Sequence, residues 1–346
     1  MATTGWPEAG RVPTVRDVAV AAQVSVATVS RVLNGDARVQ PERRQRVEAA
    51  IQRLGYRRDA VARNLRRGST MVWGLVISDI ENPFFTSLVR GVQDTAEQSG
   101  YSVVLLNSDE DLEKEARCLR VLAEERVAGV ILSPVSERDS SLTGLPTSTP
   151  AVLVDRQITG LEIDTVAVDH ARGSYEGTAH LLQAGYRRVG CISGPRHSTT
   201  GAARIEGYER ALREAGMEPD PDLIHPTDFK RGGGYEAALR LLDLDPRPDA
   251  IIAMNNLMTE GTLWALQERG LAVPDDVGLV GFDDLSWSTL VRPRLTVVAQ
   301  PVRRLGLTAA ELLARRCGGD RSGFPATVRL PPELTVRESS ERPARG

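Results

Sequence analysis

Residues 14–35 read TVRDVAVAAQVSVATVSRVLNG, and two short helices joined by a tight turn are legible in them. Val15, Val18, Ala19 and Ala22 recur at i, i+3, i+4 and i+7, one apolar stripe along a helix, and Thr14 with Asp17 has capping-box spacing. That helix should stop near Gln23. Ser25 can cap a second helix from Val26 to Leu33, whose buried side would carry Val29 and Leu33, and Asn34-Gly35 closes it. Working outward, Pro41 to Leu54 shows Val47, Ala50, Ile51 and Leu54 on one helical face and is stopped by Gly55. Three helices this short make a minimal core.

A turn so tight, in a basic surround, places the second helix in the DNA major groove. Its outward residues would be Val26, Ala27, Ser30 and Arg31. Arg31 can donate twice to one guanine edge, whereas Val26 and Ala27 offer only apolar contact to thymine methyls. Ser25, Thr28 and Asn34 suit phosphate oxygens, which position the protein without specifying sequence, and Thr14 completes the candidate DNA-facing set. An ordinary three-helix bundle with an exposed arginine would share this periodicity.

Charge adds a second signal. The 346 residues carry 43 Lys+Arg and 46 Asp+Glu, a net charge of -3, but residues 1–70 hold 13 arginines against six acids. The head is therefore +7 and the remainder -10, a basic module for a polyanion joined to an acidic body. Only Lys114 and Lys230 are lysines. With 41% hydrophobic and 26% charged residues, the chain is long enough for two or three globular domains. No apolar run approaches the ~20 residues of a membrane span, and MATTGWPEAGRVP has no export signal, so a cytoplasmic protein without membrane contact is expected. Cys118, Cys191 and Cys317 lie far apart and suit a reduced compartment, with no metal or cofactor implied.

The stretch 14–35 resembles the helix-turn-helix of the LacI/GalR family of bacterial repressors. The resemblance implies that the first two recognition-helix positions and a later arginine, here Val26, Ala27 and Arg31, read bases. After Tyr56 comes RRDAVARNLRRGST, too short for a stable helix alone in water. In the family this hinge becomes a minor-groove helix when two subunits pair. Leu65 matches its wedging leucine and Ala62 a neighbouring groove contact, with unstacking offset by the wider contact that bent DNA permits.

From Val72 onward, β-rich runs alternate with amphipathic stretches: 72–78, 102–107, 128–133, 151–155, 188–193, 250–254 and 277–281. This is the βαβ pattern of doubly wound parallel sheets, and about 270 residues exceed one comfortable core, so two lobes are expected. The expected division is a DNA-binding head over 1–58, a hinge over 59–70, a body over 71–338 and a polar tail over 339–346. The resemblance supplies the body's two-lobed fold, shared with type I periplasmic sugar receptors. Its N-lobe would take about 71–168 and 300–325, and its C-lobe about 169–299 and 326–338.

Ligands in such sheets bind beyond the carboxyl ends of the strands. The loops there hold Asn82, Phe84, Phe85, Asp155, Arg156, Arg204, Asn255 and Asp283, with Phe229 and Gln300 in two further connections. Aromatic faces can sandwich a sugar ring while carboxylates, amides and arginines bond its hydroxyls. Each residue taken singly has a plainer reading as core, surface pair or turn. The set resembles that of periplasmic ribose receptors, which makes a free ribose-like sugar the leading effector. Two positions depart from the family: Asn256 stands where Asp is frequent, and His170 where Asn is common.

The sequence has no GxGxxG, Walker A, GxSxG or HExxH motif, and His170, His180, His197 and His225 have no ligand spacing, so an enzyme is not expected. A catalytic pair formed by Asp155 and Asp283 stays open at this level. The tail ESSERPARG lacks leucine heptads, which makes a homodimer the simplest assembly. Together these features describe a dimeric transcription regulator, a repressor, whose heads read a near-palindromic operator in double-stranded DNA and whose clefts sense a small sugar. The runners-up are a sugar-responsive activator or a corepressor-dependent repressor, then a sugar-processing enzyme.

Overall fold

The computed structural model describes residues 13–33, 35–36, 38–56, 70–137 and 141–342. The chain divides into two compact units, residues 1–68 and 69–346. In the first, helices α1 (Val15–Ala22), α2 (Val26–Leu33) and α3 (Pro41–Leu54) surround a core of Val18, Ala19, Ala22, Val29, Val32, Val47 and Ala50. Thr14 and Asp17 form the expected capping box, and Gln23 ends α1 in the left-handed region at φ +54°. One expectation fails: Val32, not Leu33, shares the buried face of α2 with Val29, and Leu33 packs at the margin of the core. Val29 and Val32 are three apart, the spacing that keeps two side chains on one helix face.

The second unit contains two six-stranded sheets of matching order. β1 (Val72–Ile77), β2 (Ser102–Asn107), β3 (Gly129–Leu132), β4 (Ala151–Val154) and β5 (Asp164–Val168) lie in the order 2-1-3-4-5, with β11 (Thr327–Leu330) beyond β5. β6 (Val189–Ser193), β7 (Ile224–Pro226), β8 (Ala250–Ala253), β9 (Gly278–Phe282) and β10 (Thr296–Ala299) repeat that order, followed by β12 (Glu333–Thr335). Every pairing is parallel except β10 with β12. Helices cover both faces, so the inner strands are almost continuously buried. In β1, Trp73, Leu75 and Ile77 face a core shared with α4 (Pro83–Gln98) and α10 (Val302–Cys317), while Val76 faces α5 (Leu112–Glu124). α4 and α10 pack through Gly91 and Gly306: a Cβ on Gly306 would stand 2.3 Å from the Leu88 carbonyl oxygen, so backbone contact excludes a larger residue. In the C-lobe, α6 (His170–Gln183) and α7 (Thr199–Glu214) pack on one face, and α8 (Arg231–Leu242) and α9 (Asn256–Glu268) on the other.

The chain crosses between lobes after β5, after β10 and at 331–332. The last crossing corrects the expected boundary at 325/326. Thr327–Leu330 is an N-lobe strand because it pairs along its length with Thr165–Val168. Residues 339–342 are also no free tail: Ser339 and Ser340 are buried, the Ser339 hydroxyl donates to Leu279 O at 2.6 Å, and Ser340 Oγ meets both Thr296 Oγ1 and His180 Nε2 at 2.7 Å. Hydroxyls so satisfied carry little burial penalty.

Candidate functional site

In the head, Thr14, Ser25, Val26, Ala27 and Arg31 are exposed, and Thr28 and Ser30 are half-buried. Ser25 Oγ accepts from Thr28 N at 3.2 Å, which caps α2 and leaves its first-turn side chains in solvent. Asn34, Ala62 and Leu65 lie outside the described residues.

In the body, all ten candidate effector residues line one cleft between the carboxyl ends of the two sheets. From the N-lobe, Asn82 caps α4 by accepting from Phe84 N at 3.0 Å, which sets Phe84 and Phe85 edge to face at 5.0 Å between centroids. Asp155 and Arg156 follow β4 directly, and both are buried. From the C-lobe, Arg204 reaches in from α7, donates to the Met254 carbonyl and lies 4.7 Å from the Phe282 ring centroid. Asn255 caps α9 through Met258 N at 2.7 Å and donates its Nδ2 to Phe229 O at 2.8 Å. Phe229 sits at φ +62° with its ring tip against Gly194, where a Cβ would come within 1.8 Å of Cζ, and the Arg156 guanidinium lies 5.5 Å from the ring centroid. Asp283 follows β9 and accepts from Gln300 Nε2 at 2.6 Å.

The structure adds residues that the sequence reading missed. Asp79 follows β1 and Glu110 follows β2, while Thr200, Asp228 and Lys230 enter from the C-lobe. Polar links cross the cleft: Lys230 Nζ to Asp79 Oδ2 at 2.7 Å, and Asn256 Nδ2 to Asn82 Oδ1 at 2.9 Å. His170, buried at the first crossing, accepts from Arg204 Nη2 at its Nδ1 (3.2 Å) and turns Nε2 toward Asp155 Oδ1 at 3.5 Å. A polar residue within three positions of a strand's carboxyl end was the available signal for Asp79, Glu110 and Asp228, while Thr200 and Lys230 lie further along.

Electrostatics distinguish the two carboxylates. Burial pushes Asp155 upward, but the facing His170 ring and the Arg156 and Arg204 charges outweigh it and hold the carboxyl below its ordinary value. Burial also dominates at Asp283, where Arg204, Gln300 and Asn256 compensate only in part and the carboxyl stays above its ordinary value. Burial and the Arg204 charge push His170 down, consistent with a neutral ring accepting at Nδ1. The cavity is about 40 Å³, against about 10–15 Å³ for one water, so a sugar ring enters only when the lobes part. Buried Arg156 Nε, Arg204 Nε and Gln300 Oε1 have no hydrogen-bond partner among the described residues. Two donors and an acceptor so placed can bond the hydroxyls of a polar ligand.

A helix-turn-helix head carried on one chain with a two-lobed receptor body defines a ligand-responsive DNA-binding regulator. Comparison makes the class specific. Residues 14–59 match the model for bacterial regulatory proteins of the lacI family, and residues 70–330 that for periplasmic binding proteins and the sugar binding domain of the LacI family. The transcriptional repressor PurR of Aliivibrio salmonicida is 33% identical, covering 94% of this chain and 98% of that protein. Catabolite control protein A of Priestia megaterium is 35% identical, over 95% and 99%. The lac repressor dimer bound to operator and the anti-inducer ONPF superposes with a TM-score of 0.86 at 27% identity, over 95% and 99%. A LacI family regulator from Enterococcus faecium with bound ribose gives 0.71 at 28%, over 78% and 98%. The chain belongs to the LacI family: it is a DNA-binding transcriptional repressor with a sugar-binding type of body, and its relatives are regulators rather than enzymes. Among the described residues no helix is long and apolar enough to cross a membrane.

Proposed function

We propose that a free pentose of the ribose type closes the cleft of a homodimer and thereby lowers its affinity for a near-palindromic operator. One observation carries the proposal: the ten residues of the ribose-receptor set converge on one cleft, and among them buried Arg156 Nε, Arg204 Nε and Gln300 Oε1 have no hydrogen-bond partner among the described residues. The ribose bound by the Enterococcus faecium relative supports the ligand class, and the lac repressor dimer on operator supports the assembly. Val26, Ala27 and Arg31 would read bases, Thr14, Ser25, Thr28, Ser30 and Asn34 would hold the backbone, and Ala62 with Leu65 would enter the minor groove.

Sugar and operator then act as linked ligands, each weakening the other by the same factor, typically about 5- to 150-fold. Calorimetric titration of the full chain with pentoses and hexoses, paired with operator mobility shifts, tests this. Heat with ribose and a weakened operator complex is expected. A bound sugar that leaves operator affinity unchanged refutes the linkage, and one that raises it makes the ligand a corepressor.

A further inference from the structure

We infer that the cleft admits uncharged sugars and refuses their phosphate esters, and that Asp79 and Glu110 set this preference. The inference rests on the cleft being a sugar site and adds a charge rule to it. Among the described residues three cations line the cleft, Arg156, Arg204 and Lys230, and two of them, Arg156 and Lys230, are paired with carboxylates. Arg156 donates through Nη1 and Nη2 to the two oxygens of Glu110 at 2.7 and 2.6 Å, a bidentate pair that consumes the face a phosphate would take. Lys230 Nζ holds Asp79 Oδ2 at 2.7 Å and stands 3.8 Å from Asp109. Arg204 lies within the fields of both Asp155 and Asp283.

Helix N-termini are the other common seat for a phosphate, and here they are filled from within. Asn82 takes Phe84 N, Ser198 takes Gly201 N at 3.0 Å, and Asn255 takes Met258 N. At the start of α8, Asp228 Oδ1 accepts from Lys230 N at 3.0 Å and places a negative charge where an anion would sit. A dianionic ester would thus meet more carboxylates than cations, with Arg156 and Lys230 already paired to carboxylates. A neutral polyol needs only the leftover donors and acceptors.

The test uses the full chain, the double variant Asp79→Asn/Glu110→Gln and the single variant Asp79→Asn, titrated calorimetrically with inorganic phosphate, ribose and ribose 5-phosphate. In wild type, phosphate and the ester are expected to bind far more weakly than ribose. In the double variant, with Lys230 and Arg156 released, both should gain at least about tenfold, the worth of one charge-assisted hydrogen bond, and the gain should shrink with added salt. A smaller gain in the same direction is expected for Asp79→Asn, which decides the matter if the double variant does not fold. Wild type binding the ester more tightly than ribose overturns the rule, as does a folded variant that gains nothing for phosphate. Phosphate gain in the variant without ribose heat in wild type supports the rule and overturns the pentose reading. Ribose heat without phosphate gain does the reverse.

Discussion

Asp155 and Asp283 occupy equivalent positions in the two lobes, each immediately after the fourth strand of its sheet and each at φ +68°. Their backbone amides even donate to equivalent partners, Val166 O and Val298 O, both at 2.9 Å. A non-glycine residue in the left-handed region costs about 1–2 kcal/mol, and such residues gather at functional sites where the fold overrules the cost. Each lobe therefore aims one carboxylate at the same space, and the environments then set the pair apart, Asp155 toward charge and Asp283 toward neutrality.

Asp283→Asn should separate stability from binding. A carboxyl whose folded pKa lies above its unfolded value contributes stability that is complete below the unfolded pKa, about 3.9, and lost as pH rises through the folded one. At neutral pH the buried charge is thus a burden that the amide removes, and asparagine tolerates the left-handed backbone. The variant should melt higher than wild type near pH 7, with the difference vanishing toward pH 4. Sugar binding should weaken roughly tenfold to a hundredfold, the worth of a hydrogen bond to a charged acceptor. Calorimetric melts across pH, with sugar titrations, check both.

Asn256→Asp should hold the lobes apart. Asn82 Oδ1 already accepts from Phe84 N, so its cross-cleft partner must be a donor, and Asn256 Nδ2 supplies one at 2.9 Å. A carboxylate there would set two acceptors face to face in a buried position. Small-angle scattering of the variant should give a larger radius of gyration, and sugar affinity should fall; unchanged values on both would refute the role.

What the sequence made legible follows from what is local. The inner strands announce themselves as short apolar runs, and the helix caps are side chains bonding their own turn, so α1 to α3 and seven strands were readable. β5 was not, because it opens on Asp164, a buried acid whose partner Arg316 lies 152 residues on, with Nε at 2.6 Å from Oδ2. β10 was missed as well, and so were the edge strands β7 and β12, of three residues each, and β11, whose TVRL holds no apolar run. At the cleft, ten residues were found from strand ends and resemblance together. Asp79, Glu110 and Lys230 were missed because their contacts are pairs that only the folded chain brings together.

Gly194→Ala tests the placement of Phe229. The new methyl would stand 1.8 Å from Cζ of the ring, so the ring must leave its seat against Gly194. The cost should fall on binding more than on folding, since Phe229 is only partly buried. A several-fold loss of sugar affinity with a nearly unchanged melting temperature is expected, and a crystal structure of the variant should show the ring displaced.

Arg31→Ala addresses the head. Arg31 is exposed on the last turn of α2, and a bidentate contact to guanine is worth about 1–3 kcal/mol of discrimination. Mobility shifts should show a tenfold or greater loss on operator, relaxed preference at one base step, and little change on random duplex beyond the charge removed. Equal losses on both duplexes would reduce Arg31 to a phosphate contact.

Lys230→Met isolates the latch between the lobes. The two lysines of the chain converge on one carboxylate, Asp109, with Lys114 Nζ at 2.8 Å and Lys230 Nζ at 3.8 Å, and Lys230 also spans the cleft to Asp79. Lys230 is about 35% exposed and Asp79 buried, so the pair should fall between the about 0–1 kcal/mol of a surface bridge and the 3–5 lost when a buried one is broken, nearer the former. Methionine keeps the apolar stem and deletes the charge, which leaves Asp79 without its cross-lobe partner. Amides after β1 and at the start of α8 should then exchange hydrogen faster. Raising the salt concentration should speed exchange at the same amides in wild type and leave the variant unmoved, because screening acts only on a charge that is still present.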